Sequence, residues 1–258
     1  MDMKIILAFP TTFSTLLAQH ILSRCLSNNS ITEVVILTPD ATGMAQDVIA
    51  ELDDGSEGRR KKYITVLEIS RDTFNDKRVI DTCFGADGCI WVVDDALSTM
   101  TSSKVSAFGD VRERTQADEA LAAATTFRDQ IAPARWAGEK FRFVLWSNLG
   151  RNVEGELLAL TSRQMPYFEA YSVRPALVPL ASGKENFRAH KNDYFFPSMM
   201  ANSVVDPVIE VCLEGSSRKV LDGWDMLLEP EEGLSRDVKQ EGKSLRSWRG
   251  DRGIAAFH

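Results

Sequence analysis

Glycine is scarce where this chain opens: between Met1 and Met44 it occurs once, as Gly43. That excludes the glycine-rich turns that let backbone amides approach a phosphate closely. Clustered positive charge is scarce as well. The net charge is −7 and the isoelectric point lies near 5.1. The one basic block, Arg59-Arg60-Lys61-Lys62, reads as a solvated loop. A nucleic-acid partner is therefore not expected, because phosphate binding needs grouped Lys and Arg to displace counterions. No run approaches the roughly 18 apolar residues of a membrane span. The apolar stretch at Ile5 is cut short by Pro10 and has no cleavage-like ending, so neither a membrane partner nor a secretory signal is expected. These absences point to a cytoplasmic protein.

Cysteine and histidine are few and scattered. Cys25, Cys83, Cys89 and Cys212 match neither a zinc spacing nor a disulfide framework, and they read as reduced core residues. With His20, His190 and His258 the only histidines, no metal site is expected, and His20 reads as a surface residue of the first helix.

What the chain does contain is alternation. The apolar run Lys4 to Phe9 leads into a helical stretch, Phe13 to Leu26, and then into a second run, Val34 to Leu37, that stops at Thr38-Pro39-Asp40. Further strands are expected at Tyr63 to Ile69, Cys89 to Val93, Phe141 to Trp146 and Glu169 to Val173. The run Cys89-Ile90-Trp91-Val92-Val93 is apolar throughout, as a parallel strand covered on both faces must be. Helices are expected at about Asp110 to Ala132, closed by Pro133, at Val153 to Arg163, and at Ser203 to Leu213 despite Pro207.

Strands and helices at this spacing specify an α/β fold, a doubly wound parallel sheet of Rossmann-like type with right-handed crossovers. The expected division is a core over 1–183, a substrate-side lid and last helix over 184–228, and a charged, apolar-poor tail over 229–258 that reads as disordered. Ligands of such sheets sit beyond the carboxyl ends of the strands. There the chain offers Asp94 and Asp95 after the fourth strand, Ser147, Asn148 and Arg151 after the fifth, and Arg174 at the end of the sixth. Arg174 can pair with Asp94 or with an anionic substrate. Glu154 reads as a first-turn helix acid favoured by the dipole. The lid adds His190 and Tyr194 as candidate proton donors or acceptors, and Phe195 and Phe196 as an apolar cover.

The order of these pieces resembles the atypical short-chain dehydrogenase/reductase superfamily, in particular its small NmrA-like or epimerase-like NAD(P)-binding proteins of fungal type. The residues that carry the likeness are Lys4-Ile5-Ile6-Leu7, Ile31 to Leu37, Gly85-Ala86-Asp87-Gly88-Cys89-Ile90-Trp91, Phe141 to Ser147 and Tyr171-Ser172-Val173-Arg174-Pro175. The resemblance implies a dinucleotide site at Thr11, Thr12, Phe13 and Ser14, with Asp40 on the adenosine ribose. The family's glycine-rich turn falls on Ala8 to Thr15, where Phe9, Thr12 and Thr15 stand in place of glycines. A Cβ at these positions costs roughly 1–2 kcal/mol wherever positive φ is needed. The Phe9 ring then points either into the pyrophosphate path or toward the helix behind it. Asp40 reads equally as a turn cap. Thus the cofactor expectation is either none or NAD(P).

The family's proton-relay pair, Tyr-x-x-x-Lys, is missing. Four residues beyond Tyr63, Tyr167, Tyr171 and Tyr194 stand Leu67, Tyr171, Pro175 and Ser198. Ser147 keeps the family's serine position, but a lone hydroxyl supplies no proton at neutral pH without a partner. Three readings follow. The first is a small-molecule, secondary-metabolite biosynthetic enzyme of reductase ancestry that has lost hydride transfer and acts by positioning or acid/base-assisted cyclisation or isomerisation, with Ser147, Asp94, Asp95, His190 and Tyr194 as its candidate catalytic groups. The others are an NAD(P)H-dependent oxidoreductase with an unorthodox proton donor and a non-catalytic NmrA-like sensor. Oligomeric state is not legible.

Overall fold

The computed structural model describes residues 2–10, 16–45, 62–70, 73, 75–93, 107–135, 138–147, 151–161, 166–174 and 198–222, with backbone alone at 16–19, 107–114, 151 and 198–204. The turn 11–15, Asp94 and Asp95, Asn148, the lid residues His190, Tyr194, Phe195 and Phe196, and the tail lie outside the described residues.

The strands β1 (Met3–Ala8), β2 (Ile31–Thr38), β3 (Tyr63–Glu68), β4 (Gly88–Val92), β5 (Phe141–Trp146), β6 (Phe168–Arg174) and β7 (Val220–Asp222) form one sheet in the order β3-β2-β1-β4-β5-β6-β7. Every neighbouring pair is parallel. Parallel neighbours need crossovers, and these are supplied by α1 (Leu16–Ser27), α2 (Lys77–Cys83), α3 (Ala107–Thr126), α4 (Arg151–Ala159) and α5 (Ser198–Glu214).

Alternation along each strand sends side chains to two separate cores. Ile5 and Leu7 of β1 and Phe9 just beyond it, with Ile90 and Val92 of β4, pack on α1 and α5. Ile6, Ala8, Cys89 and Trp91 face the other side, against Ala120, Ala123 and Ala124 of α3 and Leu157 of α4. Each Leu, Ile or Phe buried in this way is worth about 1.5–3 kcal/mol, which is why the continuous apolar runs became the inner strands. Cys25, Cys83, Cys89 and Cys212 are all buried free thiols. Burial pushes Cys25 and Cys83 up to about 12, and Cys89 and Cys212 upward as well, so none is a thiolate nucleophile at neutral pH.

Several boundaries differ from expectation. The long helix runs from Ala107 and widens into a π-turn, Phe127–Ile131, before a 3-10 turn at Ala132–Ala134. Phe127 and Ile131 are thereby both buried, with the Phe127 ring 5.9 Å from Phe141. Residues 198–222 contribute α5 and the seventh strand to the same sheet. Lys62 is no solvated loop residue. Its ammonium bonds the carbonyls of Cys25 (3.0 Å), Asn28 and Ile31 (2.6 Å), closing the carboxyl end of α1, where the helix dipole favours a cation. His20 is half-buried where a surface position was expected.

Candidate active site

Strand order reverses between β1 and β4, and their carboxyl ends open the crevice where doubly wound sheets take ligands. The floor of that crevice is rigid, because the ladder continues one residue past the strands. Phe9 N–H donates to Leu37 O (2.8 Å), Val93 N–H to Trp146 O (2.9 Å) and Ser147 N–H to Val173 O (3.1 Å).

Of the two directions open to the Phe9 ring, the structure shows the inner one: Phe9 is 2 % exposed and sits in the core beneath α1 and α5. The bulk that replaces glycine is absorbed behind the strand, not placed above it. Asp40 is exposed, and its carboxylate turns back on the chain. Oδ1 accepts the Gly43 N–H at 2.9 Å and the Asp40 carbonyl accepts the Met44 N–H at 3.2 Å, so Asp40 caps the helical turn over 41–45. A Cβ at Gly43 would collide with that same carboxylate.

A polar cluster lies at the ends of β5 and β6. α4 begins four residues after Ser147, which brings its first turn directly against the strand ends. Val153 and Leu157 bury on the sheet and carry Glu154 inward with them, to 6 % exposure. The Glu154 carboxylate takes Arg174 side-on, Nε to Oε1 at 2.7 Å and Nη2 to Oε2 at 2.6 Å, and accepts the fully buried Ser172 hydroxyl at 3.3 Å. This hydrogen bond, opposed by burial and helped by the charges of Glu154 and Asp222, raises the Arg174 guanidinium above its already high pKa. Ser147, 3 % exposed, is next to Arg174 in register, one strand spacing of about 4.8 Å away. Of the residues expected in the site, the structure thus brings Ser147 and Arg174 together, and the partner it gives Arg174 is Glu154. Only the backbone of Arg151 is described, at the start of α4. Glu154 was legible only as a helix-start acid. The signal for more was its distance from Ser147, one helical turn into α4.

The described tyrosines and the sheet-bound lysines gather at the opposite end. Tyr63 opens β3 and is 71 % exposed, and Tyr167 precedes β6. The Tyr171 hydroxyl donates to Glu169 (2.8 Å) and accepts the Ser216 N–H (3.1 Å). Lys4, Lys62, Lys140 and Lys219 all lie at or just before the amino ends of strands. A pocket of about 400 Å³ there is lined by Lys4, Glu33, Phe84, Asp87, Arg135 and Glu139. Its charges are already engaged with each other: Lys4 with Glu33 at 2.7 Å, and Arg135 with Asp87 and Glu139 at 2.6 and 2.7 Å.

Among the described residues no group of His, Cys, Asp and Glu could hold a metal, and no helix is long and apolar enough to cross a membrane. No protein-family model matches the chain, and no curated protein matches it in sequence. Solved structures do. A short-chain dehydrogenase from Oenococcus oeni is 12 % identical, with a TM-score of 0.57 over 86 % of this chain and 96 % of that one. A putative oxidoreductase from Escherichia coli is 12 % identical, at 0.57 over 90 % and 100 %. A short-chain type dehydrogenase/reductase from Mycobacterium ulcerans is 15 % identical, at 0.56 over 96 % and 98 %. At these identities the likeness is one of fold: this chain has the Rossmann-like architecture of short-chain dehydrogenases/reductases.

Proposed function

We propose that this protein is an enzyme of short-chain dehydrogenase/reductase ancestry that binds a small organic molecule at the carboxyl ends of β4, β5 and β6 and acts on it by positioning and acid/base assistance, without hydride transfer. Biosynthesis of a secondary metabolite is the role that suits such chemistry. The observation that carries this reading is the placement of Tyr and Lys. A hydride-transferring site of the resembled type needs a Tyr with a Lys beside it next to the strand-end serine. Here Tyr63, Tyr167 and Tyr171 and the four sheet-bound lysines lie at the far end of the sheet, and no Tyr-x-x-x-Lys occurs in the sequence. What lies beside Ser147 in register is Arg174, paired with the buried Glu154.

The described residues also fit the usual dinucleotide poorly. The first glycine of the turn is a fully buried Phe, and one oxygen of Asp40, the candidate ribose acceptor, is held by Gly43. In the proposed site Ser147 orients a substrate oxygen, Arg174 donates to it, and Asp94 or Asp95, His190 and Tyr194 are the candidates for moving a proton. Asn148, Arg151, Phe195 and Phe196 are the candidate walls.

The second reading, an NAD(P)H-dependent oxidoreductase, is favoured by the fold shared with dehydrogenases. Thermal denaturation with NAD⁺, NADH, NADP⁺ and NADPH separates the two. A ligand at a hundred times its dissociation constant adds about 2.7 kcal/mol, a rise of several degrees. The proposed reading expects no rise with any of the four, and a rise of that size with one of them replaces it by the oxidoreductase.

A further inference from the structure

Gln116 of α3 is 4 % exposed, and its Oε1, buried as well, accepts no hydrogen bond from any described residue. An acceptor stripped of water and left unpaired costs stability, and a fold keeps such a group at a place where something else supplies the donor. Where Gln116 stands follows from register. α3 joins two parallel neighbours, β4 and β5, and therefore runs antiparallel to both. Phe127, just past its last turn, packs level with Phe141 and Phe143, ring centroids 5.9 and 6.2 Å away. Going back from Phe127 to Gln116 covers about 16 Å of helix. Going forward from the midpoint of Phe141 and Phe143 to Ser147 covers about 16 Å of strand.

Gln116 is thereby level with Ser147, at the carboxyl end of β5. It also lies on the face of α3 turned to the sheet, because Ala120, Ala123, Ala124 and Phe127 follow it at helical spacing and are fully buried in the core on that side. Ser147 comes after Phe143 and Leu145 in alternation, so its side chain belongs to the same side of the sheet. An unpaired buried acceptor and the strand-end serine therefore share one face at one height.

We propose that Gln116 is a substrate-binding residue of the strand-end cleft: its Oε1 accepts a hydrogen bond from a neutral donor of the ligand, a hydroxyl or an N–H. The inference rests on the reading of the strand-end cleft as a small-molecule site, and it holds whether or not hydride is transferred there. Without ligand the acceptor stays unpaired, so Gln116 serves binding at the expense of stability.

Probes that differ only in the donor test it. Acetophenone has none, meta- and para-hydroxyacetophenone each add one, and their methyl ethers keep the oxygen and remove the proton. Each is titrated into the full chain while the Ser147 amide and the Gln116 side-chain amide resonances are followed. Wild type is expected to bind one of the two phenols about tenfold more tightly than acetophenone and than its own ether, with both resonances shifting. Gln116→Met keeps the length of the side chain and removes the amide. It should abolish that advantage while leaving acetophenone affinity unchanged, and it should raise the melting midpoint by about 2–4 °C. A phenol advantage that persists in the variant overturns the inference. So does a variant that melts lower than wild type or fails to fold, because Oε1 would then have a structural partner. Acetophenone binding at Ser147 with no gain from either phenol overturns this inference alone, whereas no shift at Ser147 with any probe removes the small-molecule reading of the cleft along with it.

Discussion

The two ends of the sheet carry charge in different ways. At the amino ends, acids and bases meet in closed clips. Arg135 binds Asp87, Glu139 and the Gly85 carbonyl, Glu169 collects Lys140, Lys219 and Tyr171, and Lys62 closes α1. At the carboxyl ends the described residues include the pair of Glu154 with Arg174, whose side chain is 34 % exposed. Charge at the amino ends holds crossovers to the sheet, whereas at the carboxyl ends the described ion pair is partly exposed. The 400 Å³ pocket belongs to the end that is internally satisfied.

The contrast can be broken most forcefully at Gly88. A Cβ there would come to 2.6 Å from Cys212 Sγ and 2.8 Å from the Arg142 carbonyl, where β4 meets α5. Gly88→Ala should cost about 3 kcal/mol or more, lowering the melting midpoint by roughly 6–12 °C. Adding Cys212→Ala should restore only part, since the carbonyl contact remains. Next is Arg135→Ala, which takes the cation from the half-buried Asp87 carboxylate and leaves it the Lys4 N–H, at 2.7 Å, on its other oxygen. A loss of about 2–3 kcal/mol is expected in chemical denaturation, with probe binding at the strand ends unchanged in what remains folded. Probe binding that disappeared with Arg135 would erase the distinction between the two ends.

A smaller effect is expected from acid. Burial raises the Glu169 pKa, but hydrogen bonds from Lys140 and Tyr171 and the charge of Lys219 outweigh it and hold the carboxyl at about 2, below its ordinary 4.5. A depressed folded-state pKa stabilises above the unfolded value, and that contribution is lost as pH falls from 4.5 toward 2. It amounts to about 1–2 kcal/mol once solvent screening is allowed for. Denaturation midpoints of Glu169→Gln should accordingly fall less steeply than those of wild type across that window. Smallest in stability is Ser147→Ala, within about 1 kcal/mol. It should nonetheless weaken acetophenone binding severalfold, and an unaltered affinity would place the substrate oxygen elsewhere.

How much of this was legible in the sequence follows from the range of the interactions. The inner strands were, since an apolar run such as Cys89 to Val93 can satisfy itself only between two layers of helix. β7 was not: its three residues are half-buried and gain their identity from β6 alone. The start of α2 was hidden for the same reason, with only Val79 and Cys83 buried in seven residues. In the site, Ser147 and Arg174 could be named because strand ends are where such folds act. The pairing of Arg174 with Glu154 could not, because it joins residues 20 apart through a side chain that the local pattern explains as a helix start. Lys62 shows the converse. A basic run looked solvated, and one member is bound by three carbonyls contributed from 31 to 37 residues away.

Fragment mapping tests the contrast most directly. A set of small neutral compounds is titrated into the labelled protein, and the residues whose amide resonances shift are recorded. The shifts are expected to gather at Phe9, Val93, Ser147 and Arg174, with Asp87, Arg135 and Glu139 unmoved. Fragments that collected instead in the pocket between Lys4, Glu33 and Arg135 would show that the amino ends of the strands hold the ligand, and would contradict the account.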